Sequence, residues 1–186
     1  MRKNTAAWAR DLARKHLETT LPRRWAHTQG VARQARRLAL ILGNRADLLE
    51  AAAWLHDIGY APDLVDTGFH PLDGARYLRD FWKADIHLCR LVAHHSCAIV
   101  EANQRGLGEP LGQEFSTELP ELSRYLIYCD MTTSKDGTEI EVGDRISEIQ
   151  VRYGQGHPVS RSISESRFAL ERAVEETALE LSKVAP

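Results

Sequence analysis

The stretch "AAAWLHDIGY", residues 51–60, sets His56 beside Asp57 at the end of an apolar helical run and just ahead of Gly59. A buried carboxylate with neither a cation nor a hydrogen-bond partner carries a large desolvation cost. Imidazole and carboxylate together suit divalent iron, manganese, zinc and related ions. Neighbouring helical residues point about 100° apart, so both can reach one ion only near a helix end, where the chain begins to turn. Gly59 supplies that turn. His27, His70, His94, His95 and Asp130 share the same character, ligand-type side chains at helix ends or in apolar surroundings. The chemistry such a set offers is metal ligation and, through the metal, activation of water.

Positioning these groups is a task for helices. "AAWARDLARKHL" and "HTQGVARQARRLALIL" repeat apolar residues at three- and four-residue intervals, and no run alternates well enough to be a strand. Gly43 reads as a helix end and Asn44 as the N-cap of the next helix, which would pack the flanking helices as neighbours across a tight turn. "YAPDLVDTGFHP" reads as a loop near the site. "HPLDGARYLRDFW", "ADIHLCRLVAHH" and "ELPELSRYLIYCDMTT" carry three further helical patterns. "NQRGLGEPLGQEFST" reads as an irregular link whose glycines form a flexible loop, and "DMTTSKDGTEIEVG" as a second break before "DRISEIQVRYG". The last segment, "SRSISESRFALERAVEETALELSK", predicts one helix with an apolar stripe through Ile163, Phe168, Leu170, Val174 and Leu179, packed on the rest of the chain or on another subunit.

Composition narrows the functional classes. The 186 residues fit one domain, with 43% hydrophobic and 27% charged residues and a formal net charge of -2. That balance argues against a nucleic-acid partner, and the arginines of "RRWAH" and "RRLAL" disperse around a helix. Cys89, Cys97 and Cys129 show no C-x-x-C spacing, so they read as reduced thiols of a cytoplasmic protein. No stretch approaches the roughly 20 apolar residues needed to span a bilayer, so no membrane partner is expected. His16, His87 and His157 read as ordinary helix or loop residues outside the site.

The segments "RWAHTQGVARQARRLA", "AAAWLHDIGY", "HPLDGARYLR", "LVAHHS" and "YLIYCD", in that order, resemble the HD-domain superfamily of metal-dependent phosphohydrolases from about Leu21 to Thr133. The resemblance implies an all-α HD-domain helical bundle with a C-terminal helical extension. Its expected divisions are an N-terminal helix over 1–20, the HD domain over 21–135 and the extension over 136–186. It further implies that His27, His56, Asp57 and Asp130 match the four ligands shared by HD proteins, and that His70 and His94 match the two extra histidines of members holding two metals. Within the superfamily the chain is most similar to the bacterial diadenosine tetraphosphate hydrolase-like group, through Arg24 ahead of the first histidine, "HPLDGA" and "LVAH". Tyr60 departs from that group, which has a lysine there.

The expected function is therefore a metal-dependent phosphohydrolase acting on a small phosphorylated molecule of nucleotide type. His56 and Asp57 stand at its catalytic centre, with two divalent ions, iron, manganese or another transition metal, as cofactors. Asp57 is the natural bridging carboxylate between them. Arg24, His95 and Lys135 are the expected substrate contacts, Arg24 because a guanidinium one turn before His27 can bind phosphate in bidentate fashion. Two other uses of the same ligands are a di-iron HD-type oxygenase and a non-catalytic, metal-containing nucleotide-binding module.

Overall fold

The computed structural model describes residues 5–117 and 120–184. Among these the chain is all-α. Helices run over Ala6–Leu17 (α1), Pro22–Arg37 (α2), Ala39–Leu42 (α3), Ala46–Leu55 (α4), His70–Asp80 (α5), Ile86–His94 (α6), Ala98–Gln104 (α7), Gly108–Glu114 (α8), Pro120–Met131 (α9), Val142–Tyr153 (α10) and Pro158–Ser182 (α11). Short 3-10 turns cover Gly43–Arg45, Ile58–Tyr60 and His95–Cys97. The one β-type pairing among the described residues is an isolated bridge between Thr133 and Glu139.

Helix α4 is the axis of the body. Ala51, Ala52, Ala53 and Leu55 are fully buried, as an alanine-rich helix permits, because small side chains let α1, α2, α6 and α9 approach it together. Trp25 of α2 stacks on Trp54 of α4, with ring centroids 5.5 Å apart and planes 28° from parallel. The main core extends over α1 to α9. A smaller cluster of Met131, Ile146, Ile149, Ile163 and Leu170 seats α10 and α11 against the end of α9.

Local chemistry sets several of the helix starts. Thr5 caps α1 by accepting from Trp8 N, Asp85 caps α6 by accepting from His87 N, and His157 caps α11 with Nδ1 accepting from Val159 N. Pro22, Pro71 and Pro158 sit in the first turns of α2, α5 and α11, where a missing N–H costs nothing. The loop after Tyr60 is latched by Asp73, whose carboxylate accepts from Asp66 N, Thr67 N, Thr67 Oγ1 and Gly68 N.

Four sequence expectations need correction. Asn44 does not cap α4: it lies inside a 3-10 turn, α4 starts after Arg45, and no side-chain cap is made there by a described residue. Helix α2 stops at Arg37 and α3 intervenes before Gly43, although α2 and α4 do pack together. The glycine-bearing link is not all loop, since Gly108 and Gly112 lie in α8, which Leu111 anchors in the core. On α11, Ile163 and Leu170 are buried and Val174 is partly buried, but Phe168 and Leu179 are 76% and 59% exposed. The helix rotates away from a straight five-residue stripe. Glu118 and Leu119, expected at the start of the helix before Asp130, lie outside the described residues.

Candidate metal centre

Five chain segments converge on one buried spot. Helix α2 brings Arg24 and, one turn on, His27. The C-terminal end of α4 brings His56, and Asp57 follows as the chain leaves the helix. His70 is the first residue of α5, His95 follows the last residue of α6, and Asp130 sits one residue from the end of α9. Gly59 makes this convergence possible: a Cβ there would lie 2.1 Å from His70 O and 2.6 Å from Gly74 N. Only a residue lacking Cβ lets the start of α5, with His70, settle on the turn that carries His56 and Asp57.

Backbone carbonyls then orient the imidazoles. His27 Nδ1 donates to Ser134 O at 2.9 Å, His56 Nδ1 to Ala53 O at 2.8 Å, and His95 Nδ1 to Val92 O at 2.7 Å. Because a carbonyl only accepts, each neutral ring keeps its proton on Nδ1 and turns the Nε2 lone pair inward. Those lone pairs face carboxylate oxygens or a further imidazole. His27 Nε2 is 3.1 Å from Asp130 Oδ1, and His95 Nε2 is 3.1 Å from His70 Nε2. His56 Nε2 is 3.3 Å from Asp57 Oδ2 but finds no hydrogen-bond partner among the described residues. Imidazole lone pairs facing carboxylates in a buried site favour a cation between them.

The charge states agree with that need. Burial would raise Asp57, yet Arg24 and His56 outweigh it and hold the carboxyl well below its usual range. Burial likewise opposes ionisation of Asp130, and His27, with His56 and Arg145 behind it, holds that group low too. Burial lowers His27 and His95, and lowers His70 to about 3. His56 moves the other way: burial disfavours its charge, but Asp57 and then Asp130 outweigh burial and raise it. Ionised carboxylates beside mostly neutral imidazoles are the protonation states that metal ligation requires.

The ligand-type atoms fall into two groups, His27 with His56 and Asp130, and Asp57 with His70 and His95, each with all its atoms within 4.8 Å of one another. Asp57 touches both, since its Oδ2 lies 3.3 Å from His56 Nε2 and its Oδ1 3.3 Å from His70 Nε2. The donor set fits divalent first-row ions.

The structure thus brings His27, His56, Asp57, His70 and Asp130 together and separates the adjacent histidines contrary to expectation. His94, expected as the ligand, donates from Nε2 to Phe115 O at 2.6 Å, away from the cluster. His95, expected as a substrate contact, takes the inward place. The reason is a break in the helix. His95 is extended (φ -60°, ψ 149°), and Ser96 and Cys97 have φ of 48° and 60°, so helical spacing no longer describes which ring faces the site.

Arg24 and Lys135 line the approach. Arg24 Nη1 donates to Asp57 Oδ2 at 2.7 Å, and its guanidinium lies 3.9 Å over the Tyr60 ring, which in turn stacks on His70 at 3.8 Å. Lys135 Nζ is 3.3 Å from Glu148. Both border a cavity of about 430 Å³, lined also by Leu21, Arg23, His27 and Arg152. A narrower cavity of about 70 Å³ reaches Asp57, His95 and Asp130.

Residues that sequence reasoning missed come mainly from α10 and from the break after α6. Arg145 Nη2 approaches both His27 Nε2 and Asp130 Oδ1 at 3.4 Å. Ser96 Oγ donates to Asp130 Oδ2 at 2.5 Å, and Tyr153 OH meets Tyr60 OH at 3.3 Å. One signal was available for Arg145: it stands four residues before the buried Ile149, in line with an apolar helix face.

A helical body holding a buried histidine–aspartate cluster defines a candidate metalloprotein. A sequence model of the HD domain matches residues 24–134, well over half the chain, and the chain belongs to the HD domain family. Most HD domains are metal-dependent hydrolases, and this one supplies His/Asp groups that could hold such ions. No curated protein and no solved structure matched the chain. No described helix is long and apolar enough to cross a membrane.

Proposed function

We propose that the protein hydrolyses a phosphate ester or anhydride of a small molecule, with nucleotides as the substrate class, using two divalent ions. The observation that carries this reading is the pair of ligand groups joined through Asp57 and opening toward cations. His27, His56 and Asp130 would hold one ion, and Asp57, His70 and His95 the other. When bound, divalent ions supply Lewis acidity toward a phosphoryl oxygen and let water act as a nucleophile near neutral pH.

The remaining work belongs to the chain. The carbonyls of Ala53, Val92 and Ser134 keep the imidazole lone pairs aimed inward. Helices α10 and α11 cover the narrow cavity with Ile149, Tyr153, Val159 and Ile163, excluding bulk water. Arg24 and Lys135 receive the anionic substrate at the entrance. Hydrolysis forms a bond from the water oxygen to phosphorus as the bond to the leaving oxygen breaks, and the proton lost by water ends on the leaving group or in solvent. The cations Arg23, Arg24, Lys135 and Arg152 around the approach favour this reading over oxygen activation, which needs no anionic substrate.

Elemental mass spectrometry of protein purified without chelator, with phosphate release from a nucleotide panel and oxygen uptake on the same sample, tests the assignment. Close to two metals per chain with phosphate release is expected. Iron with oxygen uptake and no phosphate would transfer the site to the oxygenases.

A further inference from the structure

Arg145 is the most deeply buried cation at the site, 3% exposed. It belongs to α10, outside residues 24–134, so the family match says nothing of it. Its two ends are held unequally. Nη1 meets Glu148 Oε2 at 2.6 Å, and that carboxylate is fixed in turn by Lys135 N at 3.1 Å. Nη2 reaches Asp130 Oδ1 and His27 Nε2 only at 3.4 Å, long against the roughly 2.7–2.9 Å usual for charge-assisted bonds. Nε is buried and finds no partner among the described residues. One end is thus an anchor, and the other carries donors that are weakly engaged or idle.

Arg24 sits on Asp57, and Arg145 sits on Asp130 as well as on Glu148. Glu148 is itself shared, with Lys135 and Arg152 also drawn to it. Once Asp57 and Asp130 serve divalent ions, Arg24 loses its carboxylate, and Arg145, Lys135 and Arg152 are left with Glu148 alone, a surplus of positive charge. Arg24, with 18% of its side chain exposed, can share its charge with water. Arg145 cannot, and the space it borders is the narrow cavity shared with Asp57, His95 and Asp130.

We propose that Arg145 is a catalytic residue, a guanidinium pivoting on Glu148 that exchanges Asp130 for the phosphoryl oxygens of the substrate. This rests on the phosphohydrolase reading above. Arg145 makes no covalent bond and transfers no proton. It contributes charge and two N–H donors where negative charge gathers on phosphorus-bound oxygen.

The test uses the full chain, Mn²⁺ as the ion, orthophosphate as the anion and p-nitrophenyl phosphate as the reporter substrate. In Arg145→Gln the removal of a like charge should leave Mn²⁺ binding equal or tighter. Orthophosphate binding to the Mn²⁺-loaded protein should weaken about tenfold, and kcat should fall about 100-fold. Arg145→Lys and added guanidinium should each restore part of kcat. The opposite signs for ion and anion separate this role from a structural one, which would lower both together. A folded Arg145→Gln that binds Mn²⁺ and phosphate as the wild type does, or that loses both in parallel, overturns the proposal. If the glutamine variant does not fold, the lysine variant is judged by the same pair of titrations. Wild-type protein that binds Mn²⁺ but neither binds nor releases phosphate overturns the hydrolase reading itself, an outcome distinct from an unaffected variant.

Discussion

The ligand cluster and the wall that covers it are built by different rules. In the cluster, short side chains are fixed by main-chain carbonyls: His27 on Ser134, His56 on Ala53 and His95 on Val92. On the wall, long side chains are fixed by one another, as Arg145 on Glu148 and Lys135 on Glu148. All six ligand-type residues of the cluster lie within residues 24–134, matched to the HD family, whereas α10 and α11 lie beyond residue 134. Rigid backbone geometry thus serves the atoms that would meet an ion within tenths of an ångström. Adjustable ion pairs serve the surface a substrate would touch. The comparison suggests that the metal chemistry can stay constant while the covering helices change what is admitted.

The largest break in this contrast is expected from His56→Ala. It removes a ligand-type nitrogen that has no hydrogen-bond partner among the described residues, and metal and turnover should be lost together while far-ultraviolet circular dichroism stays helical. Activity within about tenfold of wild type would show that the cluster is not the reaction centre.

Next in size is the adjacent pair. His95→Gln should lower metal content toward one ion per chain and cut turnover by about 10–100-fold. His94→Gln should leave metal content intact and cost only the stability of the bond to Phe115 O, about 1 kcal/mol. Elemental analysis and thermal melts of the two variants decide it, and the reverse pattern would restore His94 as the ligand that the family resemblance implies.

The last contrast is the pH dependence of the metal-free protein, in which no ligand is replaced. His27, His70 and His95 are lowered chiefly by burial, His70 to about 3. Between the unfolded histidine value and these folded values the unfolded chain binds more protons, so stability should fall as pH drops through roughly 6.5 toward 3. His56, raised, contributes the opposite slope, with stability lost as pH rises through its folded value. Chemical denaturation with chelator at a series of pH values should show the net acid loss, at most about 1.4 kcal/mol per pH unit for each net proton. A flat profile from pH 6.5 to 4 would contradict the buried neutral imidazoles.

Much of the body was legible in the sequence because apolar spacing and buried small residues dictate helices such as α4 and α5. The assembly of His27, His56, Asp57, His70 and Asp130 was legible through the resemblance to the HD superfamily, whose ligand pattern they match; Gly59 was read as a turn, and its close approach to the start of α5 was not legible. What was not legible depends on contacts far along the chain. His95 displaces His94 through two consecutive left-handed residues that no helical pattern encodes. Helix α8 forms within glycine-bearing sequence because Leu111 and Phe115 reach the core. Arg145 reads as one more charge on an amphipathic helix until α10 is folded onto α9.

The stacking of Trp25 on Trp54 has a practical consequence. These rings sit two residues before His27 and two before His56, on two of the three helices that bring the first ligand group together, the third being α9 with Asp130. Indoles this close couple through their strong far-ultraviolet transitions, and Trp8 with Trp82, 5.6 Å apart, forms a second such pair. In Trp82→Phe, the remaining tryptophan couplet would be an optical gauge of the distance between α2 and α4, readable without a label.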